Sequence, residues 1–190
     1  MDDPVQLLRT WLDEGRAAVP HQDSMALASA TLDGQPSARV VLLRGIDERG
    51  ITFFTNRTSR KGDELRRNPR AAAVFHWWEL GRQVRIEGSV EETSDAESRA
   101  YWQTRPRGSQ LAAWASRQSR PLSGRQELDE RVAKIEERFA GEDVPLAPFW
   151  GGYRILPTSI EFWTHREDRL HDRLRYMRES DGWREERLAP

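Results

Sequence analysis

The sequence of 190 residues contains no cysteine. Disulfides, thiolate nucleophiles and cysteine-ligated zinc are therefore excluded together. Apolar residues are scarce, at 37% of the chain, and no run of them approaches the ~20 needed to cross a bilayer. The first residues, MDDPVQLLRTW, lack the basic-then-apolar order of a secretory leader. A cytoplasmic protein with no membrane partner is expected. Net charge is only −1, so no overall field draws the chain to nucleic acid. A P-loop, a GxGxxG turn, an HExxH helix and an ordered Ser-His-Asp set are also missing, and no metal site is expected. Any redox or transfer chemistry must come from a bound organic cofactor.

What is present is charge and tryptophan: 32% of residues are charged and eight are Trp. Such aromatic content argues for a folded core rather than disorder. The length suits one domain over residues 1–190. Asp3-Pro4 reads as an N-cap and first helical residue, followed by an apolar face through Leu12. From Met25 the hydrophobic period becomes two. MALASATLDGQPSARVVLLRGIDERGITFFTN reads as three strands with turns at Asp33-Gly34 and Asp47–Gly50. Ser59 caps a short helix stopped by Asn68-Pro69, and AAAVFHWW and RQVRIEGSVEE give two more strands. Capping boxes at Ser94/Glu97 and Ser123/Gln126 start helices, with a shorter one in SQLAAWASRQS. GGYRILPTSIEFW returns to sheet, and a hairpin turning at Ser180–Gly182 closes the chain. The fold class expected is α+β, mainly β: an antiparallel meander closing into a barrel flanked by helices.

Four basic constellations stand out. Arg39 and Arg44 bracket VVLL, and their offset of five puts them on opposite faces of a strand. Ser59, Arg60 and Lys61 fall at a helix start, where an anion is favoured and cations alone are not. Tyr101 and Arg105 share a helix face at an offset of four, with Ser109 four further on. Arg169, His171 and Arg173 alternate, so a strand would point them one way. Each set reads either as a solvated surface or as a holder of phosphate or a planar electron-rich ring. His165 reads as a bystander.

In order and spacing, RVVLLR, FFTNRTSRKG, GRQVRIEG, YWQTRPRGSQLAAWASRQS, PFWGGYR, IEFW and RLHDRLRY resemble the pyridoxine/pyridoxamine 5′-phosphate oxidase family over nearly the whole chain. The resemblance implies a split-barrel FMN-binding fold with a six-stranded type of barrel, a homodimer, and FMN where the subunits meet. It implies an oxidase that turns pyridoxamine or pyridoxine 5′-phosphate into pyridoxal 5′-phosphate while O₂ becomes hydrogen peroxide. FMN contacts carried over are Arg39, Val40, Val41, Leu42, Leu43, Arg44, Phe54, Thr55, Arg60, Lys61, Gln83, Gln118, Ser119, Trp163 and Arg173. Substrate contacts are Arg44, Tyr101, Arg105, Ser109, Arg169, Leu170 and His171, with Arg169 and His171 the catalytic pair and the hairpin of about 169–190 completing the site. Arg44 stands where many relatives have lysine, and Phe54 where tyrosine is frequent. Relatives also carry an N-terminal segment that helps cover the substrate, a departure that bears on substrate closure and affinity more than on chemistry. Phenazine-pathway relatives share the RLHDRLRY-like ending, whereas RPRGSQLAAWASRQS favours the vitamin enzyme. The alternative is a flavin- or pyridoxal-phosphate-binding protein without catalysis on the same barrel.

Overall fold

The computed structural model describes residues 3–190. Helix α1 (Pro4–Ala18) begins as the sequence predicts: the Asp3 side chain accepts from the Val5 N–H, and Val5, Leu8 and Leu12 are buried. Nine strands follow in one antiparallel sheet: β1 (Ser24–Ala30), β2 (Pro36–Leu42), β3 (Gly45–Asp47), β4 (Gly50–Asn56), β5 (Arg70–Trp77), β6 (Arg82–Glu92), β7 (Trp150–Thr164), β8 (Asp172–Glu179) and β9 (Gly182–Leu188). Between them lie α2 (Arg60–Arg67), α3 (Asp95–Thr104), α4 (Arg107–Ala115) and α5 (Arg125–Arg138). None of the described helices is long and apolar enough to cross a membrane.

The main sheet runs β2-β1-β5-β6-β7-β4-β3. Its two ends, β2 and β3, are joined by Leu43 and Arg44 alone. Two residues span at most ~10 Å, so the sheet must curl until its edges meet. The expectation of one strand through ARVVLLRGID is corrected here. The Leu43 N–H bonds to Asp23 on the β1 side, whereas the Arg44 N–H bonds to Thr52 of β4. The chain changes neighbours at that step, and the strand breaks with it.

Strand β7 is shared. Residues 150–155 pair with β4, and residues 159–164 pair with β8 on the same side. Pro157 falls in the gap, opposite a register shift at Glu87/Gly88 of β6, where its missing N–H costs no ladder bond. Gly88 is required there, because a Cβ would sit 2.1 Å from the Leu156 carbonyl oxygen. The barrel encloses one core, including Leu27, Phe53, Phe75, Trp77, Ile86 and Ile160. A second core, with Trp102, Leu111, Phe139 and Trp150, lies beneath α3–α5. Strand β4 and the start of β7 lie between the two, which is why they are buried on both faces.

Candidate functional site

The seam between β2 and β4 opens into a cavity of about 530 Å³. Arg39, Arg44, Arg60, Lys61 and Arg105 line it, and among the described residues no carboxylate does. Val40, Val41 and Leu42 of β2 face it, with Phe54 and Thr55 of β4, Tyr101 of α3, and Gln118 and Ser119 of the loop after α4. Ser109 lines an adjoining pocket of about 300 Å³ that shares Phe54, Thr55, Arg105 and Gln118. Leu43 turns away into the barrel core. Ser119 holds φ at +69, uncommon for a residue other than glycine.

Helix α2 starts at Ser59, whose side chain accepts from the Gly62 N–H as predicted. Lys61 follows, 7% exposed. Its Nζ donates to Gln118 Oε1 at 2.8 Å, Thr55 Oγ1 at 2.9 Å and Ser59 Oγ at 3.3 Å. Burial, helped by the charge of Arg39, lowers its pKa to about 8. Behind the cavity Glu64 accepts from Ser29 and Ser37 at 2.6 Å, from Arg60 Nε at 2.8 Å and from Arg39 Nη2 at 3.2 Å. Its burial would raise the pKa, but these donors together bring it down to about 2. Arg44 is ion-paired to Asp23.

Two geometric expectations are corrected. Arg39 and Arg44 do not occupy opposite strand faces, since β2 ends at Leu42 and both reach the same cavity. Tyr101 and Arg105 do not share a helix: α3 ends at Thr104, and Arg105 is extended at φ −75, ψ 140. The cause is Pro106, which disfavours helical backbone in the preceding residue. Both side chains still meet at the cavity. The capping box at Ser94/Glu97 is present, whereas Ser123 bonds the carboxylate of Glu127 and not Gln126.

The remaining predicted residues lie apart from this cavity. Gln83, Trp163 and Arg173 form one row across β6, β7 and β8. The cavity residues Phe54 and Thr55 pair with Gly152 and Gly151, so Trp163 lies eleven or more residues further along β7, about 36 Å of strand. Only Arg173 of the alternating trio is on a strand, because β8 starts at Asp172. Arg169 and Asp168 sit in a short 3₁₀ turn at φ +61 and +55. Leu170 is 68% exposed. His171 packs on Trp163, ring centroids 4.5 Å apart, and His165 stands 5.3 Å from it. The Arg166 N–H donates to His171 Nδ1 at 3.2 Å, and Arg173 Nε donates to Glu161 at 2.8 Å.

Comparison with known proteins decides the lineage. The family pattern described as pyridoxamine 5′-phosphate oxidase matches residues 12–139, and that of the pyridoxine 5′-phosphate oxidase C-terminal dimerisation region matches residues 150–190. The chain belongs to the pyridoxamine 5′-phosphate oxidase family. A pyridoxine/pyridoxamine 5′-phosphate oxidase of Rubrobacter xylanophilus is 57% identical over 99% of this chain and 87% of that one. Its counterpart in Thermosynechococcus vestitus is 54% identical over 100% and 90%. Among solved structures, PhzG of Burkholderia lata 383, in complex with tetrahydrophenazine-1-carboxylic acid, superposes with TM-score 0.94 at 37% identity, covering 100% of this chain and 94% of that one. A related FMN-binding protein of Nostoc punctiforme shares the fold, with TM-score 0.78 at 18% identity, covering 97% and 96%.

The family's cofactor is FMN, and the residues present fit it. A buried ammonium and arginines without a lining carboxylate suit a phosphate, and the apolar strand β2 beside them suits a flat ring. Glu64, Asp23 and Trp150 also shape this site and were not singled out from the sequence. The offset of four between Arg60 and Glu64 on one helix was the available signal for Glu64. Nothing local marks Asp23, which reaches Arg44 only through folding.

Proposed function

We propose that the chain is an FMN-dependent oxidase of pyridoxamine 5′-phosphate and pyridoxine 5′-phosphate, forming pyridoxal 5′-phosphate with O₂ reduced to hydrogen peroxide. The observation that carries this is the cavity itself: five cations without a lining carboxylate, enough for two phosphates, beside stacked aromatic rings. Arg39, Arg60 and Lys61 hold the FMN phosphate, while β2 from Val40 to Leu42, with Phe54, Thr55, Gln118 and Ser119, borders its ring. Arg44, Tyr101, Arg105 and Ser109 hold the substrate phosphate. When bound, FMN supplies the hydride acceptor that O₂ restores.

The second group of residues reaches this cavity from a second copy of the chain. Its distance along the sheet supports that arrangement, and so does apolar surface left open on both groups of residues. Val40 is 68% exposed, Leu42 40% and Leu170 68%. In the homodimer the partner's Gln83, Trp163 and Arg173 complete the flavin site. The partner's Arg169, Leu170 and His171 cover the substrate ring, so the C-terminal hairpin completes the single domain's active site. Because His171 Nδ1 accepts the Arg166 N–H, its neutral ring carries the proton on Nε2 and presents a donor to the substrate. Arg169 holds the ring in the geometry for hydride departure.

Purified protein that carries flavin absorbance and releases peroxide with pyridoxamine 5′-phosphate meets this reading. Flavin binding without turnover means a carrier instead. The likeness to PhzG favours one rival oxidase activity. Turnover of a reduced phenazine carboxylic acid in preference to either phosphate ester decides for that rival.

A further inference from the structure

Beside the cation cavity stands a cluster of three near-parallel rings. Phe54 stacks on Tyr101 with centroids 4.2 Å apart and planes within 14°, and on Trp150 at 5.4 Å and 9°. Tyr101 and Trp150 are parallel to 7° at 6.0 Å. Gly152 makes the cluster possible, since a Cβ there would lie 2.7 Å from the Phe54 ring. Trp150 is 4% exposed, and the edge contact with Trp102 at 5.0 Å fixes it from the other side.

The Arg105 guanidinium lies 4.7 Å from the centre of the Trp150 ring. Arg105 lies beyond the end of α3, so the helix does not orient it. Its Nη2 donates to the Ser109 carbonyl at 2.8 Å, and its buried Nε has no partner. The other cavity arginines are each tied to a carboxylate: Arg39 and Arg60 to Glu64, and Arg44 to Asp23. Among the described residues Arg105 alone of the four has none. An aromatic face orients a guanidinium without cancelling its charge. A carboxylate in the same place would compete with an incoming phosphate.

We propose that Trp150 is a positioning residue for the substrate phosphate, holding Arg105 on its face with its full positive charge at the cavity lining. The proposal rests on the reading of Arg105 as a phosphate ligand, and the experiment separates the two. Trp150→Met keeps bulk and loses the face; Trp150→Phe keeps a weaker face. Steady-state kinetics of the FMN-loaded enzyme with pyridoxamine 5′-phosphate should give KM about tenfold higher for the Met variant and about threefold higher for the Phe variant. Flavin content, kcat and the KM for unphosphorylated pyridoxamine should stay unchanged. Arg105→Ala should raise KM further, and adding either Trp150 change to it should have no additional effect.

If Arg105→Ala keeps the parent KM, the reading of Arg105 fails. If Arg105→Ala raises KM while both Trp150 variants keep the parent value, the Trp150 proposal alone is overturned. Additive effects in the double variant, or loss of flavin and kcat at unchanged KM in Trp150→Phe, overturn it as well. Should the Met variant not fold, Trp150→Phe alone and combined with Arg105→Ala carries the same decision.

Discussion

Lys61 Nζ lies 2.8 Å from Oε1 of Gln118, a residue 57 positions away in the sequence. The contact joins the first turn of α2 to the loop after α4 and holds a buried cation in the lining of the cavity. Burial, with the charge of Arg39, brings the pKa of that cation down to about 8.

Replacing Lys61 by Met should weaken FMN by about 1.5–3 kcal/mol, the scale of a charge-assisted hydrogen bond. The pH dependence carries a sign that can be checked. An anionic phosphate favours the charged lysine, so affinity in the parent protein should be level below about pH 8 and fall above it. The Met variant should lack that fall. Apo-protein stability should move the other way. Folding lowers the lysine pKa from 10.5 to about 8, so the cost is fully present below pH 8 and is relieved as pH rises towards 10.5. FMN titrations and denaturant unfolding between pH 6.5 and 10 measure both.

Glu64 is 4% exposed and accepts from Ser29, Ser37, Arg39 and Arg60. Glu64→Ala leaves these donors without their acceptor and should destabilise the apo-protein by about 2 kcal/mol, a fall in Tm of roughly 4–8 °C. Glu64→Gln, which keeps the shape, should fall between. Since the folded pKa is about 2, below the ordinary 4.5, the stabilisation is present above pH 4.5 and is lost as pH falls towards 2. Acid titration of parent and Ala variant should therefore converge at low pH.

Local rules made much of this fold legible. Asp3, Ser59 and Ser94 cap the helices that their spacing announces, and the alternation in β1, β5 and β6 matches their buried faces. What the sequence hid was long-range. The break at Leu43-Arg44 arises because the chain passes from one barrel edge to the other, which no local pattern encodes. The family resemblance named the basic residues of the cavity, but not the groups behind them. Glu64 and Asp23 look like ordinary surface charges until folding sets them against Arg39 and Arg44. The Arg105-Pro106 step, by contrast, was readable in advance from the proline rule.

Arg169 and Arg173 should fail in different ways. Arg169 is exposed, so Arg169→Ala should retain FMN and Tm while kcat/KM falls at least tenfold, through loss of orientation. Arg173 is bonded to Glu161 and to the Ala189 carbonyl. Removing it leaves the 5%-exposed Glu161 with Arg85 as its ion-pair partner at 3.2 Å. Arg173→Ala should therefore lose both FMN affinity and stability, and added FMN should restore part of the activity. Flavin content, melting curves and kinetics of the two proteins distinguish them.

The shared site makes a demanding prediction for mixed dimers. In the proposed dimer each active site takes Arg105 from one protomer and Arg169 from its partner. Arg105→Ala and Arg169→Ala homodimers should each be poorly active. When the two are unfolded together and refolded, or co-expressed with different affinity tags, half of the sites in a heterodimer inherit both defects. The other half inherit neither, because the intact Arg105 belongs to the protomer that lacks Arg169, and the intact Arg169 to its partner. The purified heterodimer should therefore regain about half of the parent kcat, with a KM for pyridoxamine 5′-phosphate equal to the parent value. If both arginines served a site within one protomer, each site in the mixed dimer would keep one defect and activity would stay at the average of the two variants. A heterodimer at that average overturns the shared site, whatever the flavin content.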